Sequence, residues 1–551
     1  MKKILAMLLA LVLALSMLSA CGGNGGEGGN KSSDAGQDTQ KEAESKDGEK
    51  AQSVEELLAA LPETLRDGEV VGIPEMYPTV DMSKPYTVHL YNIGDKPNDW
   101  DDIEAKINER LAPFNTKVEN TFISWGDAGT MYSLVLAGGE DIDAIHTATW
   151  NNMWTEGLKG SFFTIDDAFL QEFMPLTWKY QDHVSFSQTK LNGKMVAIPC
   201  NKQQPENKIV AIRQDLAEKY GITELKNWDD YMNFMLTIAE KETPESGIFA
   251  QASSGNNSEV QEVYFQQFDT FELIKDNNMN FIFYYNGGVP EWEDIKFLYE
   301  TDEYKDYIHD MKTQADAGCW SRGALNGTIS DDDAFSNLQG ASIAWNAAVF
   351  NGCRNAEKTE GVRCAAYDLT TDHLVTCEDF NNNDVGIAAA SKDPQRTAMV
   401  LDLLKMDTEL NKLIMMGIEG VHYEMESDGV HYHLLEPKSD DYPGISLSWS
   451  LKNDVFERTG VEEREQKMVD EWRKRIQSNP CITFVFNDEN ITQYTDAVKS
   501  IIAEYVPSLQ LGLYEDPDAM LNEMMERCNN AGLPQIKEEV ERQFKEWKAT
   551  L

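Results

Sequence analysis

Two hydrophobic periods alternate along most of the chain, and their order is the first guide to its architecture. Residues 86–93 (YTVHLYNI) have the length and the β-branched and aromatic content of a strand. The turn Gly94-Asp95-Lys96-Pro97 follows, and Asp99 is expected to cap a helix with apolar positions at Trp100, Ile103, Ile107 and Leu111. Residues 116–125 read as the next strand, ending in Trp125. Met131, Leu134 and Val135 mark a helix closed by Gly138-Gly139, and residues 143–149 form a third strand with Trp150 at its carboxyl end. Strand, helix, strand, helix, strand predicts a parallel α/β unit, in which ligand sites lie beyond the carboxyl ends of the strands.

Residues 190–199 (KLNGKMVAIP) read as a turn and strand leading out of this unit, 208–212 as a strand, and 228–239 as an amphipathic helix. The stretch 340–350 (GASIAWNAAVF) is a buried strand that contains Trp345. Residues 385–390 form one more short strand. Asp393-Pro394 then supplies a capping side chain and a proline at the first helical position, and a second helix starts at Asp407 or Thr408 and stops at Gly417. A strand-helix-helix unit so late in the chain implies a return to an earlier domain. Val385 is therefore expected to pair with the sheet of residues 86–149.

Length and charge narrow the possibilities. The chain has 551 residues, enough for two or three domains, and a net charge of −46. Such a field disfavours nucleic acid and anionic lipid, and weakly favours neutral or cationic small ligands. Met1-Lys2-Lys3, an apolar run over residues 4–18 and Leu18-Ser19-Ala20-Cys21 read as a secretory signal (1–20) ending in a lipobox-like site, so Cys21 is the expected lipidation site. Residues 22–53 lack aromatic residues and read as a disordered tether. No later segment has the length and apolarity of a membrane span, so the chain is expected to be anchored by lipid at the outer face of a bacterial membrane.

Several motifs occur in one order: GDKPNDWDDIEAKINE (94–109), LVLAGGEDIDAI (134–145), NGKMVAIP (192–199), IVAIRQDLAEKYGI (209–222), ASIAWNAAVF (341–350), DVGIAAASKDPQRTAMVLDLL (384–404) and GIEGVHY (417–423). Together the chain resembles the extracellular solute-binding lipoproteins of ABC transporters, of the family-1-like sugar-binding type. NPCITFVFNDENI (479–491) and residues 516–547 resemble a C-terminal module of unassigned role on one branch of them. The resemblance implies an α/β, two-lobed, periplasmic-binding-protein-like (type II) fold with hinge-crossing strands and a mostly helical C-terminal region. Lobe one would comprise 54–200 and the return 384–420, and lobe two 201–383. Residues 421–478 would be a hairpin and helices completing the cleft, and 479–551 the C-terminal module.

The implied function is capture of a carbohydrate, most simply an oligosaccharide, by a monomeric receptor that delivers it to ABC permease subunits. A surface carbohydrate-active enzyme, or a non-catalytic polysaccharide-binding or sensor protein, is the alternative. Sugars present apolar ring faces and polar edges, so exposed aromatics are the first candidates. Trp150 and Trp345 match positions where the resembling proteins carry aromatics, and Asp95 and Lys96 match a turn that reaches sugar hydroxyls in maltose-type receptors. Trp125, Trp449 and Asn201 complete the candidate set, while Arg213 reads as a structural ion-pair partner.

Catalysis, metal and cofactor are not expected. The chain contains no HExxH, GxSxG or GxxxxGK[ST], so no catalytic residue can be named. His422, His431 and His433 straddle the turn Ser427-Asp428-Gly429 and read as paired hairpin side chains, since no cysteine or spaced carboxylate completes a metal set. Seven cysteines remain after Cys21, with room for one bridge among Cys353, Cys364 and Cys377 but no disulfide framework.

Overall fold

The structure is a computed structural model that describes residues 52–138, 141–251, 257–274, 279–326 and 330–551. The expected signal, the lipidation site Cys21 and nearly all of the tether lie outside the described residues. The folded unit runs from Ser53 to Leu551. It opens on a reciprocal cap: Glu56 N donates to Ser53 Oγ at 3.2 Å, and Ser53 N to the Glu56 carboxylate at 2.8 Å.

The first lobe starts with β1 (Tyr86–Ile93) and α1 (Trp100–Leu111), which buries the expected stripe Trp100, Ile103, Ile107 and Leu111. Asp99 precedes α1 but does not cap it. Its carboxylate instead receives Lys438 Nζ at 2.6 Å and lies 3.2 Å from His422 Nε2, so a long-range ionic contact has displaced the local one. β2 (Thr116–Ile123) pairs in parallel with β1 over its full length. The strand stops earlier than expected because Ser124 caps α2 (Trp125–Ala137), so Trp125 opens a helix rather than ending a strand. That helix packs through Tyr132, Val135 and Leu136, leaving Met131 and Leu134 exposed. β3 (Ala144–Thr147) pairs with the other edge of β1, also in parallel, and β4 (Ile198–Pro199) closes this part.

The chain then leaves along β5 (Gln204–Glu206) and builds the second lobe. Its sheet contains β6 (Ile209–Arg213), β7 (Phe249–Gln251), β8 (Gly340–Trp345) and β9 (Cys364–Tyr367) in the order β9–β6–β8–β7. Helix α3 (Asp302–Ala317) lies in its core. Arg213 forks onto the Asp215 carboxylate at 2.9 and 2.7 Å, the structural ion pair that was expected. β10 (Val375–Glu378) returns antiparallel to β5, and β11 (Asp384–Ile387) enters the first sheet, whose order is β2–β1–β3–β11–β4. Val385 stands opposite His146 and Ile198, which is the pairing expected for the late strand. Asp393 caps α4 (Pro394–Met406) on Arg396 N at 2.9 Å, and Asp407 caps α5 (Thr408–Met416) on Leu410 N at 3.1 Å.

Beyond α5 the chain adds to both lobes. The return continues past residue 420: α6 (Ser446–Leu451) packs on β1, β3 and β11. The chain then crosses a third time. α7 (Glu463–Arg473) buries Trp472 in a second-lobe cluster with Ile209, Phe335 and Val349, and β12 (Ile476–Gln477) lies parallel to β10. The C-terminal helices α8 (Thr492–Gln510), α9 (Pro517–Ala531) and α10 (Leu533–Lys548) share the second lobe's core rather than forming a body of their own. Ile502, Leu509, Met524, Val540 and Phe544 join one buried cluster with Phe297, Tyr304, Tyr307 and Met311. Long-range packing of this kind leaves no local signature in the sequence.

Candidate ligand-binding site

Of the twelve tryptophans in the chain, four are exposed: Trp125 at 51%, Trp150 at 45%, Trp449 at 39% and Trp345 at 38%. An indole left in water forgoes a large burial gain, so four exposed rings call for a use. Three of them meet on the first lobe. Trp125 and Trp449 lie near-parallel, with centroids 6.2 Å apart and planes at 16°, and Trp150 adjoins Trp125 at 6.2 Å and 33°. The result is a continuous aromatic platform.

Each ring is placed by a different element. Trp125 is set by the Ser124 cap at the start of α2, and its indole lies over Gly94. Gly94 has φ +122°, and a Cβ there would come within 3.3 Å of Trp125 Nε1, so the turn after β1 can tuck beneath the ring only as glycine. Trp150 follows β3 and donates its indole N–H to the Asn382 carbonyl at 2.7 Å, which fixes it against the second crossing. Trp449 comes from α6, which is stitched to the ends of two strands. Ile93 N donates to Ser446 Oγ at 2.8 Å, Leu447 N to Asn92 Oδ1 at 3.1 Å, and Ser450 Oγ to the Asp384 carbonyl at 2.6 Å. The platform thus stands at the carboxyl-end edge of β1 and β3, where a parallel α/β sheet presents its crevice.

The other candidates fall in three places. Asp95 and Lys96 follow Gly94 beside Trp125; both are exposed, and Lys96 Nζ reaches Asp101 at 2.6 Å. Trp345 belongs to the second lobe, at the end of β8 opposite Ile209, three residues beyond β5. Asn201 is engaged structurally: Oδ1 accepts from Asp182 N at 3.1 Å and Nδ2 donates to the Tyr180 carbonyl at 3.3 Å. It lines a groove of about 340 Å³ with Glu63, Arg66 and Asp454, away from the tryptophans.

Sequence reasoning passed over a set of polar groups beside Trp150. Thr149 Oγ1, Asn151 Nδ2, Gln188 Oε1 and Asn383 Oδ1 are buried and make no hydrogen bond. Their segments are tied together, since Thr149 N donates to the Asn381 carbonyl at 3.2 Å and Asn381 Nδ2 to the Gln188 carbonyl at 2.8 Å. A buried unpaired polar atom costs about 1–3 kcal/mol, so this cluster of groups beside the platform is held at a cost to stability. Their only sequence signal is a run of Thr and Asn around a strand end.

The three histidines of the hairpin region are each held by a separate carboxylate: His422 by Asp99, His431 by Asp428 at 2.7 Å and His433 by Glu426 at 3.1 Å. The seven cysteines of the folded unit are free, so no bridge joins Cys353, Cys364 and Cys377. A larger groove of about 610 Å³ lies elsewhere, between Phe281, Ile295 and Phe297 and the last helix at Pro534 and Glu538. It has no part in the platform.

Comparison with known proteins bears on this geometry. The chain is 21% identical over 480 residues to a carbohydrate ABC transporter substrate-binding protein of Streptococcus pneumoniae, covering 85% of this chain and 92% of that one. Its structure matches the N-glycan transport solute binding protein NgtS of S. pneumoniae with a TM-score of 0.66 at 18% identity, over 84% of this chain and 98% of that one. It also matches the S. pneumoniae ABC-transporter substrate binding protein FusA, solved in complex with kestose, with a TM-score of 0.60 at 12% identity, over 85% and 100% of the two chains. The chain has the type II solute-binding-protein fold. Residues 480–549 match a domain of unknown function, DUF3502. In this solute-binding fold that domain is the α8–α10 layer of the second lobe, and the platform and Trp345 stand on opposite lobes beside the crossing strands.

Proposed function

We propose that the protein is an extracellular receptor that captures a neutral oligosaccharide between its lobes and delivers it to the permease subunits of an ABC importer. The observation that carries this reading is the platform of Trp125, Trp150 and Trp449 at the strand-end edge of the first lobe. Indole faces stack on the apolar faces of pyranose rings, and the exposed Asp95 and Lys96 offer partners for the hydroxyls. Trp345 would close on the ligand from the second lobe as the three crossings hinge. The names of the relatives, each a sugar-binding protein of a transporter, support the same substrate class.

No bond in the sugar is broken on this account; ATP hydrolysis belongs to separate subunits of the transporter. Cys21 would carry the lipid that holds a monomer on the outer face of the membrane. Thermal-shift and calorimetric screening of purified protein against neutral oligosaccharides, peptides and polyols tests the reading. It predicts binding confined to the oligosaccharides, with no new product in mass spectra of the recovered sugar. Failure to bind any oligosaccharide, or release of shortened chains, would contradict it.

A further inference from the structure

Beneath the platform lies a buried imidazole. His146 is the third residue of β3, fully buried, with its ring 5.6 Å from Trp150 at 48° and 5.8 Å from Trp449 at 86°. Two of the three platform indoles therefore rest on one ring, Trp449 edge-on and Trp150 tilted across it.

The hydrogen bonds identify its tautomer. His146 Nδ1 is 2.9 Å from Ser450 Oγ, and Ser450 Oγ is 2.6 Å from the Asp384 carbonyl. A hydroxyl has one proton, and a carbonyl can only accept, so the Ser450 proton points at Asp384. Ser450 must then accept from Nδ1–H. This leaves Nε2 as a bare acceptor, and it is buried without a hydrogen-bond partner. Ser450 is the residue after Trp449, and Asp384 is the first residue of β11, paired with Thr147 directly after the second crossing. One chain of contacts thus links Trp150, the imidazole, the helix that bears Trp449 and the strand that receives the crossing.

We propose that His146 is the positioning residue of the platform. Its ring sets the relative tilt of Trp150 and Trp449, and its Nδ1–H, through Ser450, registers that tilt to the point where the second crossing enters the first lobe. It is covered by the indoles and does not touch the ligand. The inference rests on the reading of the platform as a sugar site. It goes beyond that reading in assigning ligand affinity to a residue with no ligand contact.

Two variants test it. His146→Leu removes both the ring and the donor, and Ser450→Ala removes the link while leaving the ring. Both should lower the affinity of the best neutral oligosaccharide by about tenfold or more, as losses behind a contact layer commonly do. Both should also change the near-ultraviolet circular dichroism of the indoles, a signal set by their mutual orientation. His146→Asn, which keeps a side-chain N–H, should restore part of the affinity. Where His146→Leu fails to fold, Ser450→Ala decides. Unchanged affinity and unchanged dichroism in a folded variant would overturn the proposal. If the wild type binds no sugar, the functional reading fails on its own, and the dichroism alone decides whether His146 orients the platform.

Discussion

At the scale of single residues, the imidazole of His146 has a consequence that pH can read. Burial pushes its pKa down to about 3, whereas in an unfolded chain it titrates near about 6.5. Above that value both states are neutral and the residue contributes no pH dependence. Below it the unfolded state takes up a proton that the folded state refuses, so folding stability is lost as pH falls from about 6.5 towards 3. The stability of the wild type relative to His146→Asn should therefore decline by about 1.4 kcal/mol per pH unit between roughly pH 6 and 4. The buried carboxyls of Asp384 and Asp402, which burial raises, and the Lys405 ammonium, which burial lowers, titrate in both chains and cancel to first order in the difference. Urea unfolding of the two proteins at three pH values checks it; a flat difference would mean that the imidazole is solvated or ionised in the fold.

At the scale of elements, the C-terminal helices are the clearest case. A separable module could be removed without harm, but α8–α10 share buried residues with α3, and the Trp320 indole donates to the Leu511 carbonyl at 2.9 Å. Gly512 sets how close the two can come: φ is +60°, and a Cβ would lie 2.3 Å from the Met311 carbonyl oxygen. Gly512→Ala should cost at least about 1–3 kcal/mol in strain alone, seen as a lower thermal midpoint. A chain ending at residue 478 should expose Phe297, Tyr304, Tyr307 and Met311, bind a hydrophobic dye and lose its cooperative transition. A truncated protein that melts like the full chain would show that the helices are an appendage. The family resemblance implied a helical C-terminal region but not its partners. Period and caps are local, so the strand at 86–93, the cap at Asp393 and the helix start at Asp407 or Thr408 were legible, while the strand read over 116–125 was two residues too long because Ser124 caps a helix there. Which lobe a helix joins depends on contacts some two hundred residues away, such as Trp320 with Leu511. The same limit hid Asp99's use by His422 and Lys438, and the support that His146 gives the platform.

At the scale of the whole molecule, the chain passes between lobes three times, and the first two crossing strands, β5 and β10, pair in one small sheet that β12 joins after the third crossing. Both candidate surfaces lie beside it, the three-indole platform on one lobe and Trp345 on the other. Trp125, Trp150 and Trp345 were legible as candidates because strand ends and buried strands are where such residues stand out in a sequence, while Trp449 was placed only beyond the returning helices. Their meeting was not, since it needs β3, α2 and α6 to converge from residues 125, 150 and 449. If the two surfaces close on one ligand, small-angle scattering should show a smaller radius of gyration with a saturating oligosaccharide than without. Substituting Trp345 by alanine should weaken binding less than any change on the platform. The most direct measurement is a calorimetric titration of wild type and the Trp125→Ala, Trp449→Ala double variant with the tightest neutral oligosaccharide. The account predicts that the double variant folds as before and loses at least about 2 kcal/mol of binding free energy, roughly thirtyfold in affinity. A folded double variant that binds the same sugar as tightly as the wild type would contradict it.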